Sequence, residues 1–241
     1  MTHPHPKAPL VAGRALAAGL LLLAGLLLVP APAGAGTVTL DGVRVDLRNG
    51  TRQVVTVNHT SGTYARVTLW RKSDGRWSNV ARTTGRTGYG GLVAGADRRQ
   101  GTGTTPLGTY RLLSTFGTHA RDANWGLAHR KIRSGDFWVQ DNRSDYYNRY
   151  RNKDQGGFRW RLPASDPNSS ERLSDYPKQY EFSIVTGFNY AAQVRHRGSG
   201  IFLHVNGRGA TAGCVSAPRR FIIRLMNRLE PRLVPLIAIG R

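Results

Sequence analysis

The 241-residue chain contains a single cysteine, Cys214, so an intramolecular disulfide is excluded. A lone thiol has no partner for a structural bridge within the chain, so it becomes a candidate for chemistry. The paired spacing of zinc ligands is also missing. His119, His129 and His196 are scattered along the chain, so we expect no metal site.

Acidic residues are scarce. The 14 Asp and Glu residues are outnumbered by 35 Lys and Arg residues, which gives a formal net charge of +21 at pH 7. Such a charge attracts polyanions. The interleaved aromatic platform and the motif of a nucleic-acid-binding protein are missing, so we expect no nucleic acid partner. Anionic cell-wall polymers are the expected polyanions for an exported chain. A solvated surface of arginines is the alternative interpretation.

Long apolar runs are missing except near the N-terminus. Lys7 and Arg14 flank a Leu/Ala-rich run over 15–29, and small residues follow at 31–35. This order is typical of a cleavable export signal. An uncleaved anchor would need about 20 apolar residues, more than this run provides. We therefore predict a signal peptide over 1–35, a secreted or cell-wall protein, and no membrane span after cleavage.

Helical patterns are scarce too, and alternating patterns dominate the chain. Residues 64–70 place Ala65, Val67 and Leu69 on one face, which is the pattern of a half-buried strand. Pro235 suits an edge strand or a bulge. The other predicted strands are 37–47, 52–58, 77–82, 110–115, 180–186, 201–204 and 233–239. The fold is predicted to be mainly β, a β-sandwich or a related β-rich domain.

One helix is predicted directly after the cysteine. Ser216 can cap its N-terminus, and Pro218 suits its first turn. Cys214 would then lie just before the positive end of a helix dipole, which favours a thiolate. The buried face of the helix would carry Phe221, Ile222, Leu225 and Leu229.

A long polar segment, residues 140–177, interrupts the strands. A loop of this length inside a compact domain is usually functional or disordered, and its tyrosines and Trp160 favour order. We expect this segment to form a cap or the wall of a cleft. Tyr147 belongs to its aromatic surface and is a predicted substrate contact.

Cys214 and His204 have the residue types of a nucleophile and its base. The thiolate is the reactive form of cysteine, and His204 can take the thiol proton if the chain folds back over the ten intervening residues. Gly213 allows a tight turn, so that N–H groups at residues 213 and 214 can face an oxyanion. The alternative is a buried, inert cysteine and a histidine that is satisfied in the core.

Three motifs resemble the L,D-transpeptidase (YkuD-type) family over residues 93–239. His204 is followed by Thr211-Ala212-Gly213-Cys214-Val215, which is similar to the Ser/Thr-x-Gly-Cys motif of that family. The segment Thr105-Pro106-Leu107-Gly108-Thr109-Tyr110 is similar to its Thr-Pro strand. Phe188-Asn189 is similar to an aromatic-Asn pair that precedes the histidine.

The resemblance implies a cofactor-free reaction of Cys214 with a peptidoglycan stem peptide. The bond attacked would join an L-centred diamino acid to a terminal D-alanine, with His204 as the base and the Val205 carbonyl orienting its ring. A neighbouring amine would resolve the thioester into a 3→3 crosslink, whereas water would make the protein an L,D-carboxypeptidase. The predicted substrate contacts are Thr211, Arg208, Asn189 and Tyr147, and the predicted backbone groups are those of Gly213 and Val205.

Two positions depart from the family pattern. Many members have His where this chain has Ala212, and Arg or Asn where it has Ser216; the spacing from histidine to cysteine is also shorter than usual. We expect a catalytic domain over 93–241 with the strands of 36–92 packed onto it. A third hypothesis is a non-catalytic, basic protein of the cell envelope in which the thiol is inert.

Overall fold

A computed structural model describes residues 36–241 together with Met1. Apart from Met1, the predicted export signal over 1–35 lies outside the described residues. Among the residues that are described, no helix has both the length and the apolarity needed to cross a membrane.

The described residues are mainly β, as predicted, because alternating apolar and polar side chains favour extended segments that bury one face. The strands are β1 (Thr37–Leu40), β2 (Val43–Asp46), β3 (Gln53–Ser61), β4 (Tyr64–Ser73), β5 (Arg76–Arg86), β6 (Leu92–Ala94), β7 (Thr105–Gly117), β8 (His129–Lys131), β9 (Asp136–Trp138), β10 (Tyr150–Asn152), β11 (Glu171–Arg172), β12 (Phe182–Thr186), β13 (Phe202–Val205), β14 (Val215–Ala217) and β15 (Leu236–Gly240). The α-helix of the described residues is α1 (Arg219–Arg228), and short 3-10 helices cover Lys153–Gln155, Leu173–Asp175 and Pro231–Leu233.

Most of the strands belong to one sheet with the order β12-β13-β14-β5-β4-β3-β15-β7-β6. Because β12 pairs with β7 as well as with β13, the pairing path returns on itself and closes the sheet. The pairs β13–β14 and β15–β3 are parallel, whereas β3–β4 and β4–β5 are antiparallel hairpins. Strands from both predicted parts, 36–92 and 93–241, therefore share this sheet.

Side-chain alternation gives β12, β13 and β14 two different faces. One face contributes to the main core, where it meets α1 and the strands β3, β4 and β15. The other face contributes to a second cluster that includes residues of the long polar segment. The core face carries Ile184, Leu203, Val205, Val215 and Ala217, and the second cluster contains Phe116, Trp138, Leu173, Tyr180, Val185, Phe202 and Cys214. Cys214 thus lies outside the main core.

The helix begins later than predicted. Ser216 pairs with His204 inside β14, and Pro218 takes the N-cap position of α1. The predicted N-cap at Ser216 is wrong because pairing with β13 draws this residue into a strand. Strand β14 therefore separates Cys214 from the helix N-terminus. The predicted buried face is confirmed at Phe221, Ile222, Leu225 and Leu229.

Two predicted strands differ in detail. Residues 37–47 form the β1–β2 hairpin instead of one strand, with Asp41 (φ 53°) and Gly42 (φ 80°) in left-handed conformations at the turn. Pro235 lies directly before β15, and β15 pairs with both β3 and β7. The predicted edge position of this strand is therefore wrong. Since Pro235 precedes the paired residues, its missing N–H costs no ladder bond.

The long polar segment is ordered. Asp141 accepts two hydrogen bonds from the Arg159 guanidinium, at 2.9 Å and 2.6 Å, and these hold the pKa of the carboxyl at about 2. Tyr150 donates to Asp136 at 2.7 Å, which joins the segment to β9. Leu173 is fully buried in the second cluster. The segment therefore packs over the face of the sheet that carries Cys214.

Candidate active site

Strand pairing brings Cys214 and His204 to one cavity. In the parallel pair β13–β14, His204 lies opposite Ser216, and Leu203 lies opposite Val215. Because side chains alternate along a strand, His204 and Cys214 fall on the same face of the sheet, away from the main core. Both residues line a cavity of about 320 Å³.

The Cys214 thiol is protonated in the resting site. Its side chain is buried, and Sγ donates to the Gly200 carbonyl at 3.2 Å while it accepts the Phe202 N–H at 3.3 Å. Burial raises the pKa of the thiol to about 12, and the nearby Glu171 carboxylate adds to the increase. The Phe202 N–H and the Arg98 guanidinium act in the opposite direction. Contrary to the sequence prediction, the N-terminus of α1 does not directly follow the thiol, because β14 lies between them.

His204 is held as a neutral imidazole. Its Nδ1 lies 2.8 Å from the Val205 carbonyl oxygen, the contact expected from the sequence. A carbonyl can only accept, so Nδ1 carries the ring proton and Nε2 keeps a lone pair. Burial lowers the pKa of His204 to about 4. The Tyr180 ring packs edge-on against the imidazole, with 5.4 Å between ring centroids, and fixes its orientation.

In the resting site, no hydrogen bond joins Cys214 to His204 among the described residues, since the thiol donates to Gly200. A neutral thiol and a neutral imidazole therefore share the cavity. This arrangement suits a base that removes the proton as the sulfur attacks, and it does not suit a preformed thiolate–imidazolium pair.

The loop before the cysteine is braced by the Thr-Pro motif. Thr105 is fully buried, donates through Oγ1 to the Gly213 carbonyl at 2.9 Å and accepts the Gly88 N–H at 2.7 Å. Gly213 has a φ of +124°, and a Cβ there would lie 2.7 Å from the carbonyl oxygen of Thr104. Only glycine fits this position. The motif thus positions the backbone that carries the thiol.

One of the two N–H groups predicted for an oxyanion site is already engaged. The Gly213 N–H donates to Thr211 Oγ1 at 3.2 Å, and the same hydroxyl donates to the Cys214 carbonyl at 2.6 Å. The Cys214 N–H has no acceptor among residues 36–241. The free backbone donor is therefore that of Cys214, and the role of the Gly213 N–H stays a prediction, since it would have to turn from Thr211 to an oxyanion.

Two charged side chains of the cavity escaped sequence reasoning, namely Arg98 and Glu171. Glu171 is partly buried, accepts the Tyr180 hydroxyl at 2.6 Å, and has a pKa that burial raises to about 7. Within the described chain, no Lys or Arg lies within 4 Å of its carboxylate. Neither residue belongs to a local motif, and only the folding together of distant segments places them near Cys214.

A family model for the L,D-transpeptidase catalytic domain (YkuD) matches residues 52–236. The chain belongs to this family. The match begins before the expected residue 93 and so includes strands β3 to β5. The matched residues therefore form a domain of the L,D-transpeptidase catalytic type.

No curated protein matches the chain. Among solved structures, that of Bdellovibrio bacteriovorus Bd1075 is similar over 79% of this chain and 48% of its own, with 15% sequence identity and a TM-score of 0.40. The present chain thus spans about half the length of that protein.

Within this L,D-transpeptidase domain, Arg208 and Thr211, two of the predicted substrate contacts, line the cavity. Ala212, where many family members have histidine, lines it as well. The hydroxyl of Ser216, the second departure from the family pattern, is buried without a partner in the described chain. No group of three or more His, Cys, Asp or Glu residues suited to a metal ion occurs within the described residues.

Tyr147 and Asn189, two other predicted substrate contacts, do not line this cavity. Tyr147 is fully buried; its hydroxyl donates to Gln100 Oε1 at 2.7 Å and accepts the Gly198 N–H at 3.0 Å. The Asn189 amide donates to the carbonyls of Val194 and Gly198. Both residues brace the loops around the L,D-transpeptidase cavity.

Proposed function

We propose that the protein is an L,D-transpeptidase that forms 3→3 crosslinks between peptidoglycan stem peptides through a thioester on Cys214. The observation that carries this proposal is the shared cavity of Cys214 and His204, with Nδ1 of His204 bound to the Val205 carbonyl. This contact leaves the lone pair of Nε2 available as a base.

In the acylation step, the Cys214 thiol turns from the Gly200 carbonyl towards His204. Nε2 takes the thiol proton while Sγ attacks the carbonyl carbon between the diamino acid and the terminal D-alanine. The oxyanion accepts a hydrogen bond from the free N–H of Cys214. The carbon–nitrogen bond then breaks, His204 returns the proton to the departing amine, and the stem remains on sulfur as a thioester.

In the second step, the side-chain amine of a neighbouring stem attacks the thioester. His204 takes a proton from this amine, the carbon–sulfur bond breaks, and His204 returns the proton to Sγ. Glu171 supports an amine acceptor over water, because its carboxylate has no Lys or Arg within 4 Å in the described chain and can hold an approaching ammonium group. The carboxylate takes the extra proton of this group and passes it to solvent, which leaves the neutral amine that attacks. With water as the acceptor, the same residues would act as an L,D-carboxypeptidase.

The test is the mass of the products formed from purified disaccharide-tetrapeptide. The proposal predicts D-alanine and 3→3 dimers with the wild-type protein and neither with Cys214→Ser. Tripeptide monomers alone would show the carboxypeptidase. If no product forms and the thiol of the folded protein also resists alkylation, the non-catalytic hypothesis holds.

The role of Glu171 is tested by the ratio of dimer to tripeptide. Glu171→Gln should lower this ratio about tenfold or more, because it removes the charge that would hold the ammonium group. Asp145→Asn removes an exposed carboxylate from the same polar segment and should leave the ratio unchanged. An unchanged ratio in Glu171→Gln would remove this argument for an amine acceptor.

Export through a signal over 1–35, and an association of the basic protein with anionic cell-wall polymers, belong to the same proposal. The N-terminal sequence of the protein recovered from the wall fraction tests the first point. Release of the protein from isolated walls by rising salt tests the second, because screening weakens the attraction between charges.

A further inference from the structure

Arg98 is a buried cation without an acidic partner. Its side chain is 4% exposed, and two of its nitrogens donate to carbonyls: Nε to Thr104 at 2.8 Å and Nη1 to Arg197 at 3.2 Å. Within the described chain, no Asp or Glu lies within 4 Å of its guanidinium. A buried charge is costly unless an opposite charge compensates it, so this position calls for an anion that the protein itself does not supply.

The free arm of the guanidinium lies beside the nucleophile. Nη2 of Arg98 has no hydrogen-bond acceptor among the described residues, and a Cβ placed on Gly213 would lie 2.7 Å from it. Gly213 directly precedes Cys214, and Arg98 lines the same cavity as the thiol. An anion that binds Nη2 is therefore held next to the reacting sulfur.

A carboxylate is the anion that fits this position. Planar guanidinium groups bind carboxylates through directed, charge-assisted hydrogen bonds. In a stem peptide that ends one residue after the bond attacked, the terminal carboxylate lies about 4 Å from the reacting carbonyl carbon, the spacing of neighbouring residues. The second cation of the cavity, Arg208, is exposed, where water and salt weaken its pull.

We propose that Arg98 is a carboxylate-binding residue that anchors the C-terminal carboxylate of the donor stem and so selects donors that end directly after the bond attacked. The identity of this carboxylate rests on the proposed function. The binding of a carboxylate beside Cys214 does not, and the experiment has one arm for each statement.

The first arm compares two donors that differ in one group: a tetrapeptide stem with a free C-terminal carboxylate and the same stem as its C-terminal amide. The kcat/KM for release of the fourth residue should favour the carboxylate about 10- to 100-fold in the wild-type protein. Arg98→Met should abolish this preference by slowing the carboxylate donor alone. Arg99→Met is the matched control, because it removes an adjacent, exposed charge that does not line the cavity.

The second arm needs no stem peptide. Iodoacetate and iodoacetamide differ mainly by a carboxylate, and both alkylate the single thiol, Cys214. The ratio of their rates should fall about tenfold in Arg98→Met and stay at the wild-type value in Arg99→Met. If Arg98→Met does not fold, Arg98→Lys replaces it; the lysine keeps the charge but loses the forked donor geometry, so the ratio should lie below the wild-type value.

The two arms distinguish a failure of the Arg98 proposal from a failure of the proposed function. Equal slowing of both donors in Arg98→Met would show a structural or an oxyanion role and would overturn the proposal, as would an unchanged alkylation ratio in a folded Arg98 variant. If no stem peptide reacts while the alkylation ratio depends on Arg98, the proposed function fails and the carboxylate site stands.

Discussion

The side chains on one face of β13 and β14 lack polar groups, whereas those on the other face are polar but lack hydrogen bonds to one another. On the core face, Leu203 and Val215 are apolar, fully buried and packed against α1 and the rest of the core. On the cavity face, His204, Cys214 and Ser216 are polar and buried, yet no hydrogen bond joins them to one another. The backbone is the same on both faces, and only the period-two alternation separates them.

A rigid strand pair can thus hold reactive groups in buried surroundings that disfavour their charged forms. The core face stabilises the strands, and this stability keeps the thiol and the imidazole in a poorly hydrated place. Burial then favours the neutral form of each: it raises the pKa of Cys214 to about 12 and lowers that of His204 to about 4. A substrate that enters the cavity meets groups that are positioned but not already paired.

The largest expected effect lies on the core face. Leu203→Ala should destabilise the protein by about 2–5 kcal/mol, the range for truncating a buried leucine. Denaturant unfolding measures this change. The thiol of the folded fraction should react with iodoacetamide at the wild-type rate. A loss below 1 kcal/mol would contradict the assignment of this face as the core.

The matching change on the cavity face is His204→Ala, one residue along the same strand. It should slow acylation about 100-fold or more, the usual contribution of a positioned base. The melting temperature should change less than in Leu203→Ala. A rapid-quench assay of D-alanine release gives the rate. An acylation rate close to that of the wild type would mean that another group removes the thiol proton.

The pH dependence of alkylation distinguishes a neutral pair from an ion pair. Because the pKa of Cys214 is raised to about 12, its rate with iodoacetamide should rise about tenfold per pH unit between pH 7 and 9 without a plateau. The thiol of the urea-unfolded protein is the control and should level off near pH 9. A plateau of the folded protein near pH 6 would reveal a thiolate–imidazolium pair and contradict the neutral resting site.

The smallest expected effect is that of Ser216→Ala. Replacing an N-cap serine by alanine would lower the free energy of unfolding by about 1 kcal/mol. Ser216, however, lies in β14 with an unpartnered hydroxyl. The free energy of unfolding should therefore stay within about 0.5 kcal/mol of the wild-type value or increase. A loss of 1 kcal/mol or more in urea unfolding would favour the N-cap interpretation.

The parts of the fold that local patterns determine could be predicted. The alternation over 64–70 placed Ala65, Val67 and Leu69 correctly, and the apolar spacing after Pro218 identified the buried face of α1. The hairpin at 37–47 was missed although Asp41-Gly42 is a recognised turn signal. The start of α1 was missed for another reason: Ser216 suits an N-cap locally, and only pairing with the distant β13 makes it a strand residue.

The residues of the candidate site also form two groups, those that a local motif identifies and those that only the fold brings together. Cys214, His204 and the Thr-Pro motif have recognisable local sequences. Arg98 and Glu171 do not. Their positions in the cavity depend on which distant segments meet there, and the proposed role of Arg98 depends on its having no acidic partner. No sequence signal marks Arg98 as the buried cation among the Lys and Arg residues of 36–241.

Intact-mass analysis can detect the proposed thioester on Cys214. A tetrapeptide donor is mixed with the wild-type protein without an acceptor, quenched in acid and weighed against the unreacted chain. We expect one adduct equal to the donor minus D-alanine, localised to Cys214 and released by hydroxylamine. Release of D-alanine without an adduct, together with unchanged turnover in Cys214→Ser, would contradict it.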